Sequence, residues 1–239
     1  MGGSTNRWKR WRKAQKAEAA GKINSRPKWL TPEARRVSLE KLCERTSLSE
    51  EELKHLRILE IGGSAIEVAF NGADVPLKVV LDPLFPFGRI FDQQSRCCHH
   101  VRGMGEFLPL SDRSIDLCWI TNVIDHTADP VAVLTEIRRI LGDPGGLIIS
   151  CNIFPSWTKP LFPLFNYFDR PHPHHFTLGG FRTLLEREFI IQEEQMARIL
   201  SPPSLRWDAR LSLARNLKRR IAGVIRVKYI YFRCIARKR

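Results

Sequence analysis

The chain has 239 residues, of which 43% are hydrophobic and 27% charged, and its formal net charge is +14. These proportions fit a soluble globular protein with one large domain or two small ones. No apolar run approaches the ~18 residues needed to span a bilayer, and no apolar stretch follows the basic start, so neither a spanning helix nor a secretory signal is expected.

Residues 1–30 are rich in Lys, Arg, Ala and Gln, and a helix is expected from Trp8 to Ala20, broken by Gly21 and Pro27. Thr31-Pro32-Glu33 has the form of an N-cap with proline at the first helical position, opening a helix that runs past Leu42. Ser49 caps a shorter helical piece within Ser47–Leu56. From Arg57 the texture changes. Short apolar strands are expected at Arg57–Ile61, Leu77–Leu81, Ile115–Ile120 and Leu147–Ser150. Between the last two, Val131, Leu134, Ile137 and Leu141 keep helical spacing, and the run stops at Gly142-Asp143-Pro144-Gly145-Gly146. Continuous apolar strands alternating with helices argue for a parallel sheet covered on both faces. A long aromatic loop is expected from Asn152, then a helix capped by Thr177 and running to Glu188. Further strands are expected from Phe189 and over Val227–Ile235, with a helix over Leu205–Arg226 before the last.

Charge is distributed unevenly along this plan. Residues 1–36 carry a net +9 and residues 198–239 a net +12, whereas 37–197 carry −7. An acidic core thus bears two basic ends, suited to an anionic lipid surface or an acidic polymer, or else to solubility alone. The six cysteines are scattered rather than spaced as a disulfide framework, so reduced thiols and a cytoplasmic location are expected.

The first strand ends in Glu60-Ile61-Gly62-Gly63, and the second ends at Asp82. In open α/β sheets, ligands sit at the carboxyl ends of strands. A glycine turn lets a ligand approach the backbone, and a carboxylate at the second strand's tip can accept hydrogen bonds from both hydroxyls of a ribose. A dinucleotide fingerprint would need a third glycine, yet position 67 is Glu. A pyrophosphate beside Glu60 and Glu67 would be repelled, whereas the cationic sulfonium and ammonium of S-adenosylmethionine would not.

The segment Gly103-Met104-Gly105-Glu106-Phe107-Leu108-Pro109-Leu110, with Ser114-Ile115-Asp116 after it, resembles the G-D-A-x-x-L-P-F…S-F-D stretch of class I methyltransferases. Asn122-Val123-Ile124-Asp125-His126 resembles their N-V-L-E-H, and Pro144-Gly145-Gly146 follows at the usual interval. The resemblance covers residues 57–150 and lies in the methyltransferase type 11 branch. It implies an α/β, Rossmann-like seven-stranded sheet with the last strand antiparallel, helices on both faces, and S-adenosylmethionine as cofactor. Residues 1–54 would then be a basic helical N-terminal extension capping the cleft, and 55–239 the methyltransferase domain. By position, Glu60, Gly62 and Gly63 would line the methionine end, Asp82 would bind the ribose, Met104 and Gly105 would lie along the adenine, and Asn122 beneath the reacting methyl. The sequence departs from the family at Ser64 and Ile66, where glycines are usual, and at Met104, where Asp is frequent. More loosely, Trp11–Glu18 and Asp169–Thr177 resemble methyltransferases of bacterial surface-polysaccharide clusters.

A hydroxyl acceptor must lose a proton, which calls for a base, and the candidates are His126 and His175 of the cluster His172-Pro173-His174-His175. No metal site is expected. Adjacent residues in Cys97-Cys98-His99-His100 point apart in extended chain, and the cluster His172-Pro173-His174-His175 is read as having no acidic ligand to accompany it. Thr121-Asn122-Val123-Ile124 lacks the Pro-Pro-aromatic run of nucleic-acid amino-methyltransferases, so no specific nucleic acid is expected. The expected acceptor is a sugar hydroxyl of a cell-surface glycan or its lipid-linked precursor. The alternatives are a small apolar metabolite such as a quinone precursor, or a scaffold that has lost its cofactor. The basic helix over Leu205–Arg226 is expected to rest on the anionic inner face of the membrane.

Overall fold

The structure is a computed structural model that describes residues 2–22, 32–62, 75–84, 99–168, 172–199 and 228–236. The altered glycines at Ser64 and Ile66, Gly63, the Cys97-Cys98 pair and the basic helix expected over Leu205–Arg226 lie outside the described residues.

Five parallel strands make the body of the sheet: β1 (Arg57–Ile61), β2 (Leu77–Leu81), β3 (His99–Val101), β4 (Ile115–Thr121) and β5 (Leu141–Phe154). A two-residue strand, β6 (Phe176–Thr177), pairs with the end of β5, and β7 (Phe189–Ile199) and β8 (Lys228–Ala236) complete the sheet. The order is β3-β2-β1-β4-β5-β8-β7, so a seven-strand path carries β6 as an extra short partner. β8 runs antiparallel to both β5 and β7.

Strands β1, β4 and β5 have no polar face, because helices cover both sides. On one side, Leu59, Ile61, Ile120 and Ile149 pack in a core with Val133, Leu134 and Ile137 of α4 (Pro130–Ile140) and Phe181 and Leu185 of α6 (Leu178–Leu185). On the other, Ile58, Leu117, Trp119 and Ile148 meet Leu42 of α2 (Pro32–Thr46) and Leu53 of α3 (Glu50–Lys54). Residues 32–54 therefore help close the sheet. Ser49 starts α3 with a full capping box: its hydroxyl accepts from the Glu52 N–H, and Glu52 reaches back to the Ser49 N–H. α1 (Gly2–Lys22) is longer than the expected Trp8–Ala20 run. No described helix is long and apolar enough to cross a membrane.

Two segments differ from the sequence expectation. The run Gly142–Gly146 belongs to β5 rather than to a turn before it. Leu141 pairs with Ile115 and Gly146 with Leu117, so the extra residues are absorbed in a bulge. The segment after Asn152 is folded rather than an open loop: β5 continues to Phe154, and a 3-10 turn (Ser156–Leu161) leads into α5 (Phe162–Phe168). Phe162 and Phe165, three apart on one helical face, both pack on Phe154, with ring centroids 5.9 and 5.5 Å away.

Candidate active site

The carboxyl ends of β1, β2 and β4 open onto one cleft of about 310 Å³ among the described residues, within the range of small-molecule sites. Gly62 turns the chain out of β1 at φ +74°, and its N–H donates to the Leu81 carbonyl at 2.7 Å. A Cβ here would stand 2.5 Å from Val123 Cγ2, so only glycine fits. Asp82, at the tip of β2, is 3% exposed. Its Oδ1 accepts from the Leu84 N–H at 2.7 Å, which fixes the carboxylate at the cleft wall. Glu60 lies just inside β1 and is buried, and it is not among the residues lining the cleft.

Met104, Gly105 and Glu106 form the wall after β3. Glu106 is nearly buried, and its Oε1 accepts from the N–H groups of Ala128 and Asp129 at 2.6 and 3.1 Å. It therefore ties this wall to the start of α4. Asp129 in turn caps α4 by accepting from Val131 and Ala132. The role of Glu106 is not visible in the sequence around it, because its partners lie 22 and 23 residues away.

The floor comes from the end of β4. Asn122 holds φ +56°, donates its N–H to the Ser150 carbonyl at 3.0 Å, and accepts from Asn152 Nδ2 at 2.9 Å. A non-glycine residue held in the left-handed region at a cleft is the kind of local strain found at functional sites. A 3-10 turn, Ile124–His126, follows and presents His126 to the cleft.

The last wall is α1. Trp11 and Gln15 line the cleft, and the Gln15 amide donates to the His126 carbonyl at 3.5 Å. Arg7 pairs with Asp129, Arg10 donates to Asn166 at 2.9 Å, and Trp8 stacks on Phe107.

Of the residues expected from sequence, Gly62, Asp82, Met104, Gly105, Asn122 and His126 thus face one space. His175 stands elsewhere: its Nδ1 contacts Asn166 Oδ1 at 3.1 Å, and its ring packs among Phe154, Phe162 and Phe165 at 5.1–5.7 Å. The imidazole that joins His126 is His172, whose ring centroid lies 4.4 Å away. Between them is Asp125, 3% exposed. The acid beside His172 thus comes from the 3-10 turn after β4, and the His174 N–H donates to the Asp125 carbonyl at 3.2 Å. Burial, with Arg10 nearby, holds His174 below the ordinary imidazole range.

Residues 87–150 match the methyltransferase domain family. An uncharacterized methyltransferase of Mycolicibacterium gilvum is 30% identical over 132 residues, 54% of this chain and 48% of that protein. The chain thus spans about half the length of that relative. The YcgJ protein of Bacillus subtilis superposes with a TM-score of 0.62 at 16% identity, covering 85% of this chain and 100% of that one. The fold is the class I methyltransferase fold. An S-adenosylmethionine-dependent methyltransferase of Thermotoga maritima has a TM-score of 0.52 at 19% identity, covering 85% and 89% of the two chains.

Gly62 leaves a cradle that a Cβ would fill, and Gly105 lies where a Cβ would come within 3.2 Å of Val133. The Asp82 carboxylate is buried at the strand tip beside them. The residues fit an adenosine-bearing sulfonium.

Proposed function

We propose that the protein is an S-adenosylmethionine-dependent methyltransferase that methylates a sugar hydroxyl of a cell-surface glycan or its lipid-linked precursor. The observation that carries the reaction class is the convergence of Gly62, Asp82, Gly105 and Asn122 on one cleft at the carboxyl ends of parallel strands. Gly62 would take the methionine end, Asp82 the ribose, Met104 and Gly105 the adenine, and Asn122 would lie beneath the methyl. The bound cofactor supplies a methyl group already activated by a positively charged sulfur. The chain's task is then to align the acceptor and exclude competing water, and the wall of α1 with Trp11 and Gln15 serves the second purpose. The sugar acceptor is supported by the resemblance of Trp11–Glu18 and Asp169–Thr177 to polysaccharide-cluster methyltransferases.

A small apolar metabolite is the second reading, favoured by the exposed apolar side chains of Trp157, Leu161 and Leu164 on the segment that carries Phe162 and Phe165. Labelled cofactor incubated with the protein and with separated glycan and lipid extracts divides the two. Label in a glycan or glycolipid supports the first; label confined to small lipids overturns it. Calorimetric titration with S-adenosylmethionine tests the reaction class itself, and an absence of binding would leave only a scaffold. The same reading places the protein in the cytoplasm, with the basic residues of 205–226 against anionic lipid at about 1 kcal/mol each. Sedimentation with anionic vesicles but not neutral ones, reversed by salt, is the expected result.

A further inference from the structure

The cofactor reading leaves unexplained the cluster Asp125–His126–His172, which borders the cleft. Its three side chains each offer one ligand atom, and these atoms lie within 4.8 Å of one another. His126 Nε2 is 3.9 Å from Asp125 Oδ1, and His172 Nε2 is 4.0 Å from Asp125 Oδ2. The Asp125 side chain is 4% exposed, and its Oδ1 accepts no hydrogen bond among the described residues. A carboxylate buried without a full set of donors is costly unless a cation stands beside it.

We propose that these three residues bind a divalent transition metal of the zinc or manganese class. Two imidazoles and one carboxylate, with no thiolate, are the donor set of open three-ligand metal sites and suit these ions better than calcium or magnesium. Ligands at ~2.1 Å in a tetrahedron lie about 3.4 Å apart, so rotation of the two imidazoles closes the observed spacing. The backbone that carries them is fixed. His126 N–H donates to the Val123 carbonyl at 2.8 Å, the Thr127 hydroxyl donates to the Ile124 carbonyl at 2.8 Å, and the His174 N–H ties the 172–176 segment to Asp125. His126 and His172 line the cleft while Asp125 lies behind them, so the open coordination position faces the acceptor.

The role of the metal rests on the methyl-transfer reading. An acceptor hydroxyl bound at the open position would lose its proton near neutral pH, as metal-bound water does, and the proton would pass to water in the cleft. The new O–C bond then forms as the C–S bond breaks, and the sulfur leaves as a neutral thioether. His126 is in this scheme a ligand in place of a base.

Metal binding is tested without any acceptor. Untagged, metal-stripped protein is titrated with zinc by calorimetry and with cobalt(II) by visible absorption. One equivalent of each is expected to bind, with a cobalt d–d band. Asp125→Asn and His172→Gln should each weaken binding by at least about a hundredfold, and His175→Gln should leave it unchanged. A cooperative urea unfolding transition in the two weakened variants would show that the fold is intact. The proposal is overturned if the wild type binds no stoichiometric zinc, cobalt or manganese, or if the two ligand variants bind as tightly as the wild type. Metal binding without cofactor binding would overturn the methyl-transfer reading alone, and cofactor binding without metal binding this proposal alone.

Discussion

A methyl group placed on Gly62 would meet Val123 and would also hold an L-residue at φ +74°. Gly62→Ala should therefore lower stability by about 1–2 kcal/mol from backbone strain alone, with the clash added. Val123→Ala in the same chain removes the two nearest contacts, at 2.5 and 2.8 Å, but not the strain, so the double variant should recover only part of the loss in urea unfolding. Asp82 tests the cleft from the other strand. Asp82→Ala should weaken S-adenosylmethionine about ten- to a hundredfold, the worth of one charge-assisted pair, whereas Asp112→Ala, an exposed partner of Arg139, should leave it unchanged. Equal affinities in calorimetry would remove the cofactor from this position. At this scale the sequence is legible where function is local: a glycine after a strand and an acid at the tip of the next. It is silent on Glu106 and on Asp125 beside His172, because their partners come from distant segments.

Among elements, α4 was the most readable, since Asp129-Pro130 marks its start and Leu134 and Ile137 its buried side, although Val131, expected on that side, is exposed and Val133 is buried in its place. β5 was less so, because a run of Gly and Pro reads as a turn until pairing with β4 is known. Arg139, in the last turn of α4, joins Glu136, Asp112 and the carbonyls of Leu108 and Leu110 at 2.8–3.0 Å. Arg139→Lys should cost about 2 kcal/mol in urea unfolding, since an ammonium cannot span these acceptors as a guanidinium does. A loss below about half that would show the network to be mere surface pairing. α1 differs in kind, holding the cleft by separate contacts from Arg7, Trp8, Arg10 and Gln15. Arg7→Ala combined with Trp8→Ala should speed cofactor dissociation several-fold in stopped-flow measurements while the unfolding midpoint stays close to the wild-type value. An unchanged rate would mean that the helix is no barrier to exit.

For the molecule as a whole, acid stability follows from two paired carboxylates. Hydrogen bonding to Arg57 holds the Asp116 carboxyl below its ordinary range, and Arg139 does the same for Glu136. Groups lowered in the folded state add stability above their unfolded values, near 4, and lose it as pH falls through the folded ones. The urea midpoint should thus be level near neutrality and drop below about pH 4, and Asp116→Asn should make that drop shallower. A wild-type midpoint still level at pH 3 would refute the assignment. The sheet order adds a consequence for synthesis. β5 has its antiparallel neighbour in β8, which leaves the ribosome about 70 residues later, several seconds at ~5–20 residues per second. During that interval β7 emerges without its neighbour, since β8 lies between it and β5 in the finished sheet. A nascent chain stalled before residue 228 therefore carries an open strand edge in the middle of its future sheet, a surface on which a chaperone that holds extended apolar segments would act.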